Sequence, residues 1–251
     1  MYPNPLKQKL KNGGVALGTS LAAPTAAVTA ATCRADIDFI WMDTEHAPYG
    51  TETLETLPVI ARQKGVAPLL RVAWNDPALI KKAFDVGAVA VMVPQVNTAE
   101  EAARAVEYAF YPPLGQRGVS PNWPQIAGED WGEVIRTAND ETVLILQIES
   151  QQAYDNLDEI VQVPGIDVLF VGPMDLSASL GVITETGHGS VQEIMRDVPK
   201  RLEGTGIAAA TTLSDIDDIR QKLEWGYRFM NVSSPLAYGI QTLNAHLASL
   251  R

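Results

Sequence analysis

Short apolar runs alternate with longer amphipathic stretches along almost the whole chain. The runs are VALGTSL, DFIWMDTE, APLLRV, AVAVMVPQV, VLILQIE, VLFVGPMD, IAAATT and FMNVSS. They are nearly continuous in hydrophobicity, as strands of a parallel sheet covered on both faces require. The stretches between them, such as TETLETLPVIARQKG, NDPALIKKAFDVGA, NTAEEAARAVEYAF and LSDIDDIRQKLEWGY, carry helical periodicity. Several open on a capping residue (Thr51, Asn75, Thr98, Ser214) and close near a glycine (Gly65, Gly87, Gly226). Pro77 suits the first turn of a helix. Eight strand–helix units in 251 residues predict one α/β domain spanning 1–251, a (β/α)8 TIM barrel. A doubly wound open sheet is the alternative, but no GxGxxG follows the first strand to support a dinucleotide fold.

One connection breaks the rhythm. Between Phe110 and Val143 the chain reads YPPLGQRGVSPNWPQIAGEDWGEVIRTANDET, and prolines and glycines forbid regular structure in its first half. A loop this long is expected to be functional or part of a subunit contact. It follows a helix, so it should start at the barrel's lower face. Trp123 and Trp131 suggest that it packs.

Composition narrows the partners. Hydrophobic residues make up 46% and charged residues 20%, enough for a sizeable core, and the net charge is −11. Such a charge argues against nucleic acid or an anionic membrane as partner. The N-terminal MYPNPLKQKLKNGG lacks the apolar stretch of a signal peptide, and no run of ~18 apolar residues could span a bilayer. With Cys33 the only cysteine, no intramolecular disulfide can form, and a reducing cytoplasm is expected. Cys33 lies near the end of an Ala/Thr-rich helical stretch and reads as a packed thiol rather than a nucleophile.

In a barrel, chemistry collects at the carboxyl ends of the strands. Those ends read, in order, Asp43, Glu45 and His46; Arg71; Gln95; Gln147 and Glu149; Asp175; Thr211 and Thr212; Ser233 and Ser234. Glu149 and Asp175 close successive apolar runs. On neighbouring strands, about 5 Å apart, two carboxylates repel unless a proton or cation lies between them. Oxygen-only ligation suits Mg²⁺ or Mn²⁺; two surface acids at strand ends are the competing reading. His46 is a candidate base or a hydrogen-bonded, half-buried histidine. Side chains alternate along a strand, so Glu45 and His46 cannot both face the mouth if the strand stays regular there. His188 and His246 have no spacing that suggests ligation. Arg71 could hold a developing oxyanion or form a structural ion pair. After Gly172–Pro173, the N–H groups of Met174 and Asp175 could form a small anion nest, or a plain tight turn. Asp85, in a helical segment, reads as a surface residue.

Taken in order, WMDTEHAPYG, LLRV, FDVGA, YPPLGQRGVS, QIES and GPMDLSASLG resemble the HpcH/HpaI aldolases, the metal-dependent class II pyruvate aldolases. The resemblance covers nearly the whole chain. It implies a (β/α)8 barrel binding a divalent cation (Mg²⁺, Mn²⁺ or Co²⁺) on Glu149 and Asp175. It makes His46 the proton acceptor and Arg71 the transition-state stabiliser. It gives Asp85 the task of raising the basicity of the histidine, against the surface reading. Pyruvate would be held by Gln147 and by the backbone of Met174 and Asp175. The full candidate set is His46, Arg71, Asp85 and Asp43 for catalysis; Gln147, Gly172, Met174, Asp175 and Thr212 for substrate; and Glu149 with Asp175 for metal. A homohexamer built as a trimer of dimers is expected, with the final helix, AYGIQTLNAHLASL, exchanged between subunits. Thr211 and Thr212 stand where many relatives carry bulkier apolar residues, and Met174 where alanine is frequent.

The implied reaction is reversible aldol cleavage of a 4-hydroxy-2-keto acid to pyruvate and an aldehyde. Oxaloacetate decarboxylation or a lyase acting on a CoA ester would use the same site; the latter needs a basic groove that an acidic chain does not advertise. No lysine ends a strand: Lys64, Lys81 and Lys82 fall in helical segments, which argues against a Schiff base. A small-acid sensor on the same barrel would lack a catalytic group, and none is missing.

Overall fold

The computed structural model describes residues 4–251. Eight parallel strands close a barrel in sequence order: β1 (Ala16–Ser20), β2 (Phe39–Asp43), β3 (Ala67–Arg71), β4 (Ala90–Val93), β5 (Val143–Ile148), β6 (Val168–Val171), β7 (Ala208–Leu213) and β8 (Phe229–Val232). The ring shuts where Ala16 and Gly18 of β1 register with Phe229 and Asn231 of β8. All eight predicted strands form, so the open-sheet alternative is excluded.

Helix α1 (Pro5–Lys11) precedes β1. The others connect the strands: α2 (Ala26–Thr32), α3 (Leu57–Gln63), α4 (Pro77–Asp85), α5 (Ala99–Ala109), α6 (Trp123–Ala127), α7 (Trp131–Glu141), α8 (Gln151–Asp155), α9 (Leu157–Ile160), α10 (Pro173–Ser179), α11 (Gly189–Arg201) and α12 (Ile216–Glu224). α13 (Pro235–Ser249) follows β8. Thr98 caps α5 as expected, accepting from the Glu101 N–H. Two other caps fall one residue later than the sequence suggests: Asp76 and Asp215, not Asn75 and Ser214. Aspartate bonds two N–H groups in each case, a stronger cap than its neighbour offers. The chain after Thr51 first makes turns, and α3 begins only at Leu57.

Strand alternation splits the core in two. Residues such as Ile40, Leu70, Val91, Leu146 and Leu169 point outward into the layer under the helices. Phe39, Trp41, Leu69, Met92, Ile145, Phe170 and Phe229 fill the barrel itself, and Leu6 and Leu10 of α1 join them as a plug. Phe39 and Phe229 stack with centroids 4.1 Å apart, against a glycine, Gly18, whose added Cβ would lie 2.4 Å from the Phe39 ring.

The long connection contains α6 and α7, and its Trp123 and Val134 gather with Val89 and Thr142 at the amino ends of β4 and β5, away from the mouth. Trp123 is buried under the Arg62 guanidinium at 3.8 Å, whereas Trp131 is largely exposed, its Nε1 donating to the Pro121 carbonyl. Cys33 is buried at the end of α2, and burial pushes its thiol up, which suits a packed role. No helix among the described residues is long and apolar enough to cross a membrane.

The last helix behaves differently from the rest. No residue of α13 is buried, and Leu236, Ile240, Leu243 and Leu247 form an apolar stripe at helical spacing. Leu17, on the outer face of β1, is 39% exposed where a covering helix is ordinarily found. Between α2 and the start of α13 lies a hollow of about 420 Å³ lined by Ala22, Ala23, Val28, Ala31, Pro235 and Leu236.

Candidate active site

The parity that fills the barrel also chooses the residues at its mouth. Stepping by two from an inward core residue gives Trp41 then Asp43, Leu69 then Arg71, Ile145 then Gln147 and Glu149, Phe170 then Gly172, Ala210 then Thr212, and Phe229 then Asn231. These residues share the carboxyl end of the barrel. Thr211 has the opposite parity: it is fully buried, and its hydroxyl donates to the Val171 carbonyl at 2.9 Å. It is therefore not a pocket residue, and only Thr212 of the pair lines the cavity.

Arg71 is the hub. Its Nε and Nη2 donate to the two Asp43 oxygens at 2.8 and 2.7 Å, a bidentate pair. Its Nη1 lies 2.8 Å from Glu45 Oε2 and 3.4 Å from Gln147 Oε1. The guanidinium also sits over the Trp41 ring at 4.8 Å. Burial would raise the Asp43 carboxyl, but the hydrogen bonds and charge of Arg71 outweigh it and hold Asp43 below the usual carboxylate range. The same partners hold Arg71 above its ordinary value despite burial.

Glu45 and His46 do both reach the mouth, because the strand is not regular there. β2 ends at Asp43, whose Oδ1 accepts the Glu45 N–H at 3.0 Å. This Asx turn swings the chain back over β3, and Thr44 fastens it by donating to the Arg71 carbonyl. Glu45 thus meets Arg71 and lies 3.9 Å from His46 Nε2, while the His46 side chain remains 64% exposed. Burial, reinforced by the charges of Asp43 and Asp175, keeps the Glu45 carboxyl above its ordinary value in spite of Arg71 and His46. Sequence spacing assigns Glu45 no role, because its approach to His46 depends on the turn.

Glu149 follows β5 and is 3% exposed. Its Oε1 accepts the Gln95 N–H at 2.8 Å, and its Oε2 accepts from Gln147 Nε2. Gln95 presents that N–H from a left-handed backbone conformation, φ 56°, unusual for a residue other than glycine. Burial first, then the neighbouring carboxylates of Asp175 and Glu45, push Glu149 up to about 7. Gly172 makes the close approach possible: a Cβ there would lie 2.8 Å from Glu149 Oε2.

Asp175 does not end a strand as the apolar run suggested. β6 stops at Val171, and Asp175 lies in the first turn of α10, after Pro173 and Met174. Pro173 supplies a first helical residue that needs no N–H partner, and the first turn leaves the N–H groups of Met174 and Asp175 without intrahelical acceptors. Met174 is 53% exposed and, with Gly172 and Asp175, borders the cavity.

Asp85 is not brought to His46 within the chain. It closes α4, on the way to the amino end of β4, and thus lies at the opposite end of the barrel. Burial raises its carboxyl against the charges of Arg117, Lys81 and Lys82. Its distance follows from the helix running antiparallel to the strands. Lys64, Lys81 and Lys82 likewise sit in or at the ends of helices.

The mouth opens into a cavity of about 680 Å³ lined by Trp41, His46, Arg71, Gln147 and Asp175 and by the β7–α12 segment. Among the described residues no three His, Cys, Asp or Glu side chains form a ready metal cage. Glu149 and Asp175 are a two-carboxylate donor set whose mutual repulsion a hard cation would relieve, so the residues fit such an ion.

The family model for HpcH/HpaI aldolase/citrate lyase matches residues 18–240. The chain belongs to this family. It is a carbon–carbon lyase by that membership. It is 35% identical to 2-keto-3-deoxy-L-rhamnonate aldolase of Escherichia coli strain K12, over all of this chain and 94% of that protein. Its fold matches the HpcH/HpaI aldolase/citrate lyase family protein of Burkholderia cenocepacia J2315, with TM-score 0.92, 30% identity and 99% of both chains covered. It also matches the HpcH/HpaI aldolase of Desulfitobacterium hafniense DCB-2, with TM-score 0.88, 31% identity and coverage of 98% and 95%.

Proposed function

We propose that this enzyme catalyses reversible aldol cleavage of 4-hydroxy-2-keto acids, giving pyruvate and an aldehyde. The observation that carries the reading is the meeting of Arg71, Glu45, His46, Gln147, Glu149 and Asp175 at one barrel mouth. Glu149 and Asp175 would hold a divalent cation, Mg²⁺, Mn²⁺ or Co²⁺, which when bound stabilises negative charge on the keto-acid oxygens as a Lewis acid. The N–H groups of Met174 and Asp175 take the substrate carboxylate, beside Gly172 and Gln147. His46 accepts the proton of the C4 hydroxyl as the C3–C4 bond breaks and its electron pair passes into the pyruvate enolate. Arg71 sits where negative charge on oxygen grows, and Asp43 holds its guanidinium plane. Glu45, rather than Asp85 of the same chain, is the carboxylate beside His46.

Exhaustive chelation should abolish cleavage, and added Mg²⁺, Mn²⁺ or Co²⁺ should restore it; full activity in chelator would sink the cation role. His46→Ala should cripple cleavage, and unchanged turnover would remove it as the base.

The uncovered stripe of α13 and the exposed Leu17 on the outer face of β1 support assembly with further copies, each lending its last helix to a neighbour. A hexamer made of such dimers is the proposed state.

A further inference from the structure

We propose that Asp215 and Asp218 select the aldehyde by charge, so that the cavity takes a short neutral hydroxyaldehyde and turns away aldehydes that carry a carboxylate. This rests on the aldolase reading above and specifies its second substrate. On that reading Arg71, Gln147 and Asp175 take the keto acid, which leaves Thr212, Ser214, Asp215 and Asp218 as the polar lining of the same cavity available to the aldehyde.

Among the described residues this remaining lining carries hydroxyls and carboxylates but no lysine or arginine. Among the described residues the only lysine or arginine lining the cavity is Arg71, already paired with Asp43 and Glu45. Lys222 acts electrostatically with Asp218, yet its side chain is 1% exposed. Its ammonium donates to Gln192 and Gln221 and lies 4.0 Å over the Trp225 ring, so it cannot reach a ligand. Asp217, between the two acids, is paired with Arg220. Asp215 Oδ1 accepts the N–H groups of Asp217 and Asp218, which fixes this carboxylate at the start of α12. A carboxylate on the aldehyde would therefore meet two like charges, with the nearby cation, Lys222, buried on α12 and engaged by glutamines.

A hydroxyl meets the reverse. Thr212 Oγ1 accepts from Asn231 Nδ2 at 2.9 Å, and Asn231 is itself held by Ser20. The Thr212 hydrogen is thereby left to donate to a ligand oxygen, while Asp215 and Asp218 can accept from ligand hydroxyls.

The test is condensation of pyruvate with glyceraldehyde or with succinic semialdehyde by the Mn²⁺-loaded enzyme. The quantity read is the ratio of kcat/KM for the two aldehydes, in which a general loss of activity cancels. The wild type should favour glyceraldehyde by about tenfold or more, the scale of one like-charge pair a few ångströms apart near a surface. Asp218→Lys should narrow or reverse that ratio by a similar factor. The Asp215→Asn, Asp218→Asn double variant should narrow it too; asparagine keeps the helix cap, so this variant carries the test if the lysine variant does not fold. Equal use of both aldehydes by the wild type, or a ratio unmoved in the folded variants, would overturn the inference. Exchange of the pyruvate methyl protons with D₂O, without aldehyde, separates the two levels. Exchange with an unmoved ratio overturns only the charge selection; no exchange overturns the aldolase reading and this inference with it.

Discussion

Replacing Glu149 by glutamine should flatten part of the pH dependence of stability in the metal-free protein. Burial and neighbouring acids raise this carboxyl from 4.5 to about 7. Between those values the folded state holds a proton that the unfolded state has released. Stability therefore falls as pH rises through the window, is unaffected by this group below it, and has lost the full amount above it. A difference of about 2.5 in pKa corresponds to about 3 kcal/mol, or roughly 6–12 °C in Tm for a chain of this size. Glu149→Gln removes the titration but introduces an amide donor against either the Gln95 N–H or Gln147 Nε2, which now point at the two oxygens. That mismatch costs about 1–3 kcal/mol at every pH, so the difference between the two profiles, not their height, carries the result. The assay is Tm by circular dichroism in chelator from about pH 4 to 8, the range that brackets the titration. The wild type should lose its advantage steadily as pH rises, and added Mn²⁺ should stabilise it more at the alkaline end, where no proton competes. Parallel profiles for the two proteins would refute the reasoning, because Glu149 would then titrate alike in both states.

Other outcomes follow from single contacts. Gly172→Ala places a Cβ 2.8 Å from Glu149 Oε2 and should weaken Mn²⁺ binding by about 10–100-fold in calorimetry, the usual cost of disturbing a ligand's support. Arg71→Lys loses the two-point bond to Asp43 and should lower kcat/KM by about 10²–10³-fold in steady-state cleavage assays. Gly18→Ala drives a methyl into the Phe39 ring and should destabilise by at least about 1–3 kcal/mol in urea titrations. Truncation after Ser234 removes α13, no residue of which is buried; light scattering should then show the proposed assembly of the full chain replaced by monomers, with the barrel's circular dichroism retained.

The site was partly legible because strand parity is local. Asp43, Arg71, Gln147 and Glu149 end apolar runs on the inward step, and the structure brings them together as that pattern requires. Asp175 was misplaced because the run VLFVGPMD hides a strand end; Pro173 starts a helix there, and hydrophobicity alone does not mark the change. Thr211 was misread because two adjacent threonines look alike until the register shows which one faces out.

The sequence by itself determined the element order, the parallel barrel and most members of the polar ring. Those follow from periodicity and from where each apolar run stops. Only the tertiary structure decided which ring members touch. It turned Glu45 onto Arg71 and toward His46 through the Asx turn at Asp43. It buried Glu149 against the Gln95 N–H, and it sent Asp85 to the far end. It also brought Asp215 and Asp218 into the lining of the same cavity as Arg71. Such contacts join residues far apart in the chain, so their charges and distances exist only once the barrel has closed.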